Sequence, residues 1–282
     1  MLGNPFDYAT QEYAQVRPSY PLEAVDMLIA GATEVADIGA GTGKMTRLLA
    51  KRGLHVSAVE PAAAMRLQLE QMLLASGQTR QSAPVGGAGA SGIMDEVPSS
   101  GAANLVQGTP LEGISGTVEV LAGSAEDTGL TDKSVDLAVF AQSWHWVDPE
   151  AASTEMARIL RPCGRIAAVW NQLDVSVPWV KRLTRIMRSG DVHRPDRPPL
   201  FDHQLFTTPH LELFEWSDEK SADQVMALAR TRSSWLREDE AGREHMQNNL
   251  RWYLHEHLGY GDDQLIQLPY VTLVWVSTVR YM

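Results

Sequence analysis

Short apolar runs bounded by glycine, proline and acidic residues recur along the chain, and between them apolar positions fall at helical spacing. Thr33 to Ile38 and Leu54 to Val59 are two such runs of strand length. Met45, Leu48 and Leu49, lying between them, share one face of a helix that Gly53 is placed to end. Pro61 to about Leu74 reads as a second crossover helix. Upstream, Tyr8, Tyr13 and Val16 fall near one helical face, and Arg17-Pro18 stops that pattern. Pro21 then opens a new helix carrying Leu22, Val25, Leu28 and Ile29.

Order of the same kind resumes after residue 116. Val118, Val120 and Ala122 alternate as in a strand, and "SVDLAVFAQ" is almost continuously apolar, as a strand covered on both faces must be. Asp148-Pro149 caps a helix that runs to Leu160, and Gly164 leads into the buried strand "RIAAVWN". Leu211 to Trp216 is a sixth strand, Ser221 with Gln224 makes a capping-box start, and Glu238 to Leu258 is a polar helix. "YVTLVWVSTVR" supplies the last strand. Strands alternating with helices predict an α/β fold, a parallel sheet with helices on both faces.

Between Gly77 and Gly116 the pattern fails. Nine glycines stand there among alanines and serines, with only short apolar groups. Such a stretch buries too little apolar surface to offset its chain entropy, so residues 75–117 are expected to form a flexible insertion in a single domain of 282 residues. A lid over a ligand is a second reading of a loop this long.

Composition narrows the function classes. Hydrophobic residues make up 44% of the chain, enough for a sizeable core, and no apolar run reaches the length of a membrane span. A net charge of −11 argues against nucleic acid as a general partner. One cysteine, Cys163, forms no internal disulfide, and with no basic-then-apolar leader at the N-terminus the expectation is a soluble, cytoplasmic protein. No Cys/His cluster has the spacing of a structural zinc site, so no metal is expected.

The chemistry concentrates at "DIGAGTGK", Asp37 to Lys44, between a strand and a helix. A phosphate-cradling P-loop would need glycine at position 38 and a hydroxyl at 45, where the chain has Ile38 and Met45. A dinucleotide fingerprint would need its third glycine at 44, which is Lys44, although Glu60 stands about twenty residues on, where such folds keep an acid. That reading is weakened and stays open as an alternative, an NAD-dependent oxidoreductase.

What fits without exception is an acid at a strand end, Gly39-x-Gly41-x-Gly43, and a second acid, Glu60, ending the next strand. This pattern resembles the class I S-adenosylmethionine-dependent methyltransferases. "YAQVRPSYP", "SWHW", "ARTRSSW" and "LPYVTLVW" are similar to the trans-aconitate methyltransferase-like small-molecule enzymes of the methyltransferase type 11 group. The resemblance implies a Rossmann-like, seven-stranded, mostly parallel sheet with an antiparallel C-terminal strand. It implies S-adenosyl-L-methionine as cofactor and methyl transfer to a small molecule, at oxygen, with a carboxylate among the candidates. A chain that keeps the cofactor pocket without chemistry, as a binding or partner protein, is the other reading.

The resemblance also assigns roles. Asp37 complements the cofactor's ammonium, the three glycines let the chain pass close to the ligand, and Glu60 accepts the ribose hydroxyls. Ala125 and Glu126 lie beside the adenine, where Ser124 departs from the usual acid. Gln142 lies on the methionine side, and Arg17 with Tyr13 holds the methionine carboxylate. His145 is the candidate base or else a packing histidine between two tryptophans, and Trp144 and Trp146 are the candidate acceptor walls, with at least one of them expected in the core. Residues 172–206 are the expected acceptor cap, whose Arg182, Arg185 and Arg188 suit an anionic acceptor or else form a solvated helix face; Arg185 and Arg188 are its candidate contacts.

Overall fold

The computed structural model describes residues 16–75, 115–189 and 193–280. The expected insertion, but for its edges, and Tyr13 lie outside the described residues. Seven strands form one sheet in the order β3-β2-β1-β4-β5-β7-β6. They span Glu34–Ile38 (β1), His55–Val59 (β2), Thr117–Leu121 (β3), Val135–Ala141 (β4), Leu160–Leu173 (β5), His210–Lys220 (β6) and Ile266–Thr278 (β7). The first five pair in parallel, and β7 runs antiparallel to both β5 and β6. The strand order reverses direction between β1 and β4, which is where an open α/β sheet leaves a crevice at its carboxyl edge.

Helices cover both faces for the reason the pattern gives. α1 (Leu22–Ile29) and α2 (Lys44–Ala50) bury Val25, Leu28, Met45, Leu48 and Leu49 against Val35, Leu137, Val139 and Val169. α3 (Ala63–Ala75) sets Leu69 and Leu73 on Ala58. On the opposite face, α4 (Pro149–Ile159) packs Met156 and Ile159 with Phe140, Ile166 and Trp170. Its Asp148 cap accepts from the Glu150 and Ala151 amides at 3.0 and 3.2 Å. After β6, the Ser221–Gln224 capping box starts α6 (Ala222–Arg230).

The helices beyond β5 build a core of their own. α5 (Pro178–Ile186), α6 and α8 (Glu240–Arg251) bury Val180, Leu183, Val225, Leu228, Met246 and Leu250 with Leu173, Leu268 and Tyr270. A short α7 (Ser233–Arg237) joins α6 to α8. This helical layer draws on residues far beyond 206, because α5 alone offers one apolar face and needs α6 and α8 to cover it. The polar helix expected to reach Leu258 ends its α-helical part at Arg251 and finishes as a π-helical turn, Trp252–His257.

Candidate active site

Strand β1 delivers the chain into the crevice at Ile38, and the glycine loop turns it into α2. The amides of Gly39 and Ala40 both donate to the Val59 carbonyl, at 2.8 and 3.1 Å, so the loop is tied to the end of β2. Glu60 completes that tie. Its carboxylate accepts from the Gly41 amide at 2.8 Å and from the Ala62 amide at 2.8 Å. Gly41 has φ +58, and a Cβ there would meet nothing within 4 Å, so it borders open space. Gly39 and Gly43 are held for packing. A Cβ on Gly39 would come within 2.6 Å of Ser143 Cβ, and one on Gly43 within 2.0 Å of Leu69 Cδ1.

The open space is a cleft of about 470 Å³, within the size range of small-molecule sites. It brings together Arg17, Gly39, Gly41, Glu60, Ala125, Glu126, Gln142 and Trp146 from the sequence-derived set. Ser124 also lines it, with its Oγ accepting from the Glu126 and Asp127 amides at 3.2 Å, so the hydroxyl shapes the turn that presents Ala125. Glu126 Oε1 accepts from the Asp148 amide at 2.9 Å. Gln142, at φ +64, donates to the Asn171 carbonyl at 2.9 Å, and Arg17 donates to the Thr231 carbonyl at 2.7 Å.

Other members of the set lie elsewhere. Asp37 is fully buried beneath the loop, outside the cleft lining. One of its oxygens accepts from Thr46 Oγ1 at 2.6 Å, and Oδ1 has no hydrogen-bond partner among the described residues. Burial, with a smaller contribution from the Glu60 charge, raises the Asp37 carboxyl to about 6 despite the Thr46 bonds. Gly43 faces α3. Trp144 is a core residue, edge-on to Phe140 and Phe201 at 4.8 Å between ring centres, because its indole points into the α4 face of the sheet.

His145 is exposed beside the cleft and absent from its lining. Its Nδ1 accepts from Trp170 Nε1 at 3.3 Å, which places the proton of a neutral ring on Nε2 and occupies the lone pair a base would use. In the helical layer, Arg185 lines a separate shallow surface depression with Lys181 and Arg182, and Arg188 is ion-paired with Glu238. Neither reaches the cleft, since α5 turns that face to solvent.

The cleft also contains residues that sequence reasoning did not single out: Lys44, Asn171, Arg232 and Tyr270. Lys44 stood out only as the residue breaking a dinucleotide pattern. Arg232 and Tyr270 sit inside "ARTRSSW" and "LPYVTLVW", the two stretches most distant in sequence from the loop they face. Burial, then the like charges of Arg47, Lys220 and Arg17, lowers the Lys44 ammonium to about 8.

A mostly parallel sheet with its glycine loop and strand-end acid at the reversal of strand order defines a protein of the open α/β type, with its cleft at the carboxyl edge of the strands. Comparison with known proteins makes the class specific. The methyltransferase domain family matches residues 98–168. An uncharacterized methyltransferase of Mycobacterium tuberculosis is 35% identical over 276 residues, 97% of this chain and 95% of that protein. One from Schizosaccharomyces pombe is 26% identical over 260 residues, 89% of this chain and 87% of its own. Among solved structures, a candidate type II methyltransferase from Anaeromyxobacter dehalogenans superposes with a TM-score of 0.54 at 20% identity, covering 94% of this chain and 97% of that one. The chain belongs to the class I S-adenosylmethionine-dependent methyltransferases.

Among the described residues no group of three or more His, Cys, Asp or Glu could hold a metal ion, and no helix is long and apolar enough to cross a membrane.

Proposed function

We propose that this enzyme holds S-adenosyl-L-methionine in the cleft and directs its methyl to an oxygen of a small-molecule acceptor, a carboxylate first among the candidates. The observation that carries this reading is the convergence of the glycine loop, Glu60 and the Ala125–Glu126 turn on one cleft. The residues suit the cofactor. Glu60 keeps lone pairs for ribose hydroxyls beyond the two amides it already accepts from, and the space beside Gly41 admits a ligand against bare backbone. The unpartnered Oδ1 of buried Asp37 gives the loop a negative charge that a cationic ligand complements through the loop or through water.

When bound, this cofactor supplies a sulfonium methyl whose C–S bond breaks as an O–C bond to the acceptor forms, leaving a neutral thioether. The protein's work is therefore alignment and exclusion of water. A carboxylate acceptor needs no proton removed, which agrees with His145 standing outside the lining and engaged by Trp170. Gln142, Arg17 and Trp146 line the cleft, which supports assigning the first two to the methionine portion and Trp146, half in solvent, to the acceptor wall.

Calorimetry with S-adenosylhomocysteine tests the cofactor site. The wild type is expected to bind and Glu60→Ala to bind at least about tenfold more weakly, from the loss of charge-assisted hydrogen bonds. No binding by the wild type, or equal binding by the variant, refutes the assignment. Labelled methyl that mild base releases as methanol identifies a carboxylate acceptor; base-stable label assigns another oxygen or atom.

A further inference from the structure

One residue of the buried strand β5 is out of character with the strand. Asn171 follows Ala167, Ala168, Val169 and Trp170, all buried, near the carboxyl end, where an amide side chain is disfavoured unless it is hydrogen-bonded. Its side chain is bonded at both ends. Oδ1 accepts from Thr272 Oγ1 at 2.6 Å, and Nδ2 donates to the Ser19 carbonyl at 2.6 Å. Thr272, opposite Asn171 on β7 and fully buried, accepts in turn from Trp216 Nε1 at 2.9 Å. The two ends of this relay fix its direction. An indole N–H only donates and a peptide carbonyl only accepts, so the Thr272 hydroxyl points to Asn171 and the Asn171 NH2 to Ser19. Aspartate, unable to donate, could not hold Ser19.

Ser19 belongs to the segment that borders the cleft. Arg17, Pro18 and Tyr20 line it, as does Asn171 itself. Val16 and Tyr20 are buried at the two ends of the segment, which holds it by apolar contact, and apolar contact has no direction. Two hydrogen bonds supply one: Asn171 to the Ser19 carbonyl, and Arg17 Nη2 to the Thr231 carbonyl at 2.7 Å. The main chain of Asn171 acts on the other side of the same site, where its carbonyl accepts from Gln142 Nε2 at 2.9 Å. Arg17 and Gln142, the two residues assigned above to the methionine portion, are thus both set by Asn171.

We infer that Asn171 is a positioning residue of the cofactor site: through Ser19 it fixes the direction in which Arg17 enters the cleft, and Thr272 fixes Asn171 in turn. This rests on the cofactor reading proposed above, in which Arg17 takes the methionine carboxylate. Thr272 lies outside the cleft lining, so removing its hydroxyl changes ligand binding only by way of Asn171. Loss of either side chain's hydrogen bonds weakens cofactor binding by loosening Arg17, and the loss is invisible once Arg17 is gone.

The full-length protein and its variants are titrated with S-adenosylhomocysteine by calorimetry, with thermal unfolding as the check on folding. Asn171→Ala should weaken binding at least about tenfold, and Thr272→Val at least about threefold. Thr272→Val keeps the side-chain shape, so it tests the inference even if Asn171→Ala fails to fold. In an Arg17→Ala background each effect should shrink below about twofold, because the group acted upon is absent. Ile159→Val, which opens a small cavity in the α4 core on the opposite face of the sheet, should leave affinity within about twofold of the wild type. Undiminished binding by Thr272→Val overturns the inference. Effects that persist in full without Arg17 also overturn it, by making Asn171 a direct ligand contact, and so does Arg17→Ala binding as the wild type does. An equal loss in Ile159→Val reduces the relay to general stability and overturns its positioning role. A wild type that does not bind S-adenosylhomocysteine overturns the cofactor reading, and this inference with it; in every other outcome the cofactor reading stands.

Discussion

Asp37 is the residue whose substitution tests the reasoning most sharply, because its burial is costly and its proposed use is electrostatic. The carboxyl is raised from the ordinary 3.8 to about 6, burial being the main cause. The native state therefore holds this proton more tightly than the unfolded chain does. Stability contributed by this group is full below about pH 4, falls as pH rises toward 6, and stays low above it. At about 1.4 kcal/mol per pH unit, the penalty at neutral pH is about 3 kcal/mol. Asp37→Asn removes it and retains an oxygen for the Thr46 hydroxyl, at the cost of a buried NH2 in place of the unpartnered Oδ1. That cost, about 1 to 3 kcal/mol, does not change with pH. Urea unfolding of both proteins should then show the variant gaining about 2.5 kcal/mol on the wild type between about pH 4 and about pH 7.5. The comparison cancels other carboxylates, including Asp136, which is lowered to about 2 and acts in the opposite sense. A difference between the two proteins that is the same at both pH values refutes the account. The same variant should bind S-adenosylhomocysteine more weakly, since the charge that destabilises the free protein is the one proposed to favour the ligand.

Other substitutions separate packing from binding. Gly43→Ala should cost about 3 kcal/mol, from collision with Leu69 and Met72 and from a positive φ. Gly41→Ala, where a Cβ meets no atom, should cost about 1 kcal/mol in unfolding experiments while reducing S-adenosylhomocysteine affinity. Trp144→Ala should destabilise by about 3 to 5 kcal/mol, whereas exposed Trp146→Ala should stay within about 1 kcal/mol and raise the acceptor KM. His145→Gln should lower kcat by less than about tenfold. A loss of a hundredfold or more, with unchanged S-adenosylhomocysteine affinity, would restore it as general base.

The legible parts of this protein were those governed by local periodicity and by one contiguous loop. Among the described residues, the strands and helices named from the pattern appear within a few residues of their expected spans, except that β5 starts earlier and the second half of β6 and the start of β7 extend beyond them; the helix expected over Tyr8 to Val16 falls almost wholly outside the described residues. Those segments alternate polar and apolar residues only weakly, and their pairing over eleven positions supplies what the pattern lacks. The loop that bars a P-loop and departs from the dinucleotide fingerprint was equally readable, because spacing within eight residues survives any tertiary arrangement.

Sequence alone thus determined the fold class and the kind of cofactor loop, since both follow from residues close along the chain. Only tertiary structure decided which cations face the cleft. The arginines of 182 to 188 share a helical face and invite a functional reading, yet the sheet and the α6–α8 core turn that face to solvent. Lys44 and Tyr270 stand more than two hundred residues apart and line one cleft because β7 inserts antiparallel between β5 and β6. No spacing rule expresses such a meeting. It is a property of strand order, and strand order is decided by which apolar faces can be buried together.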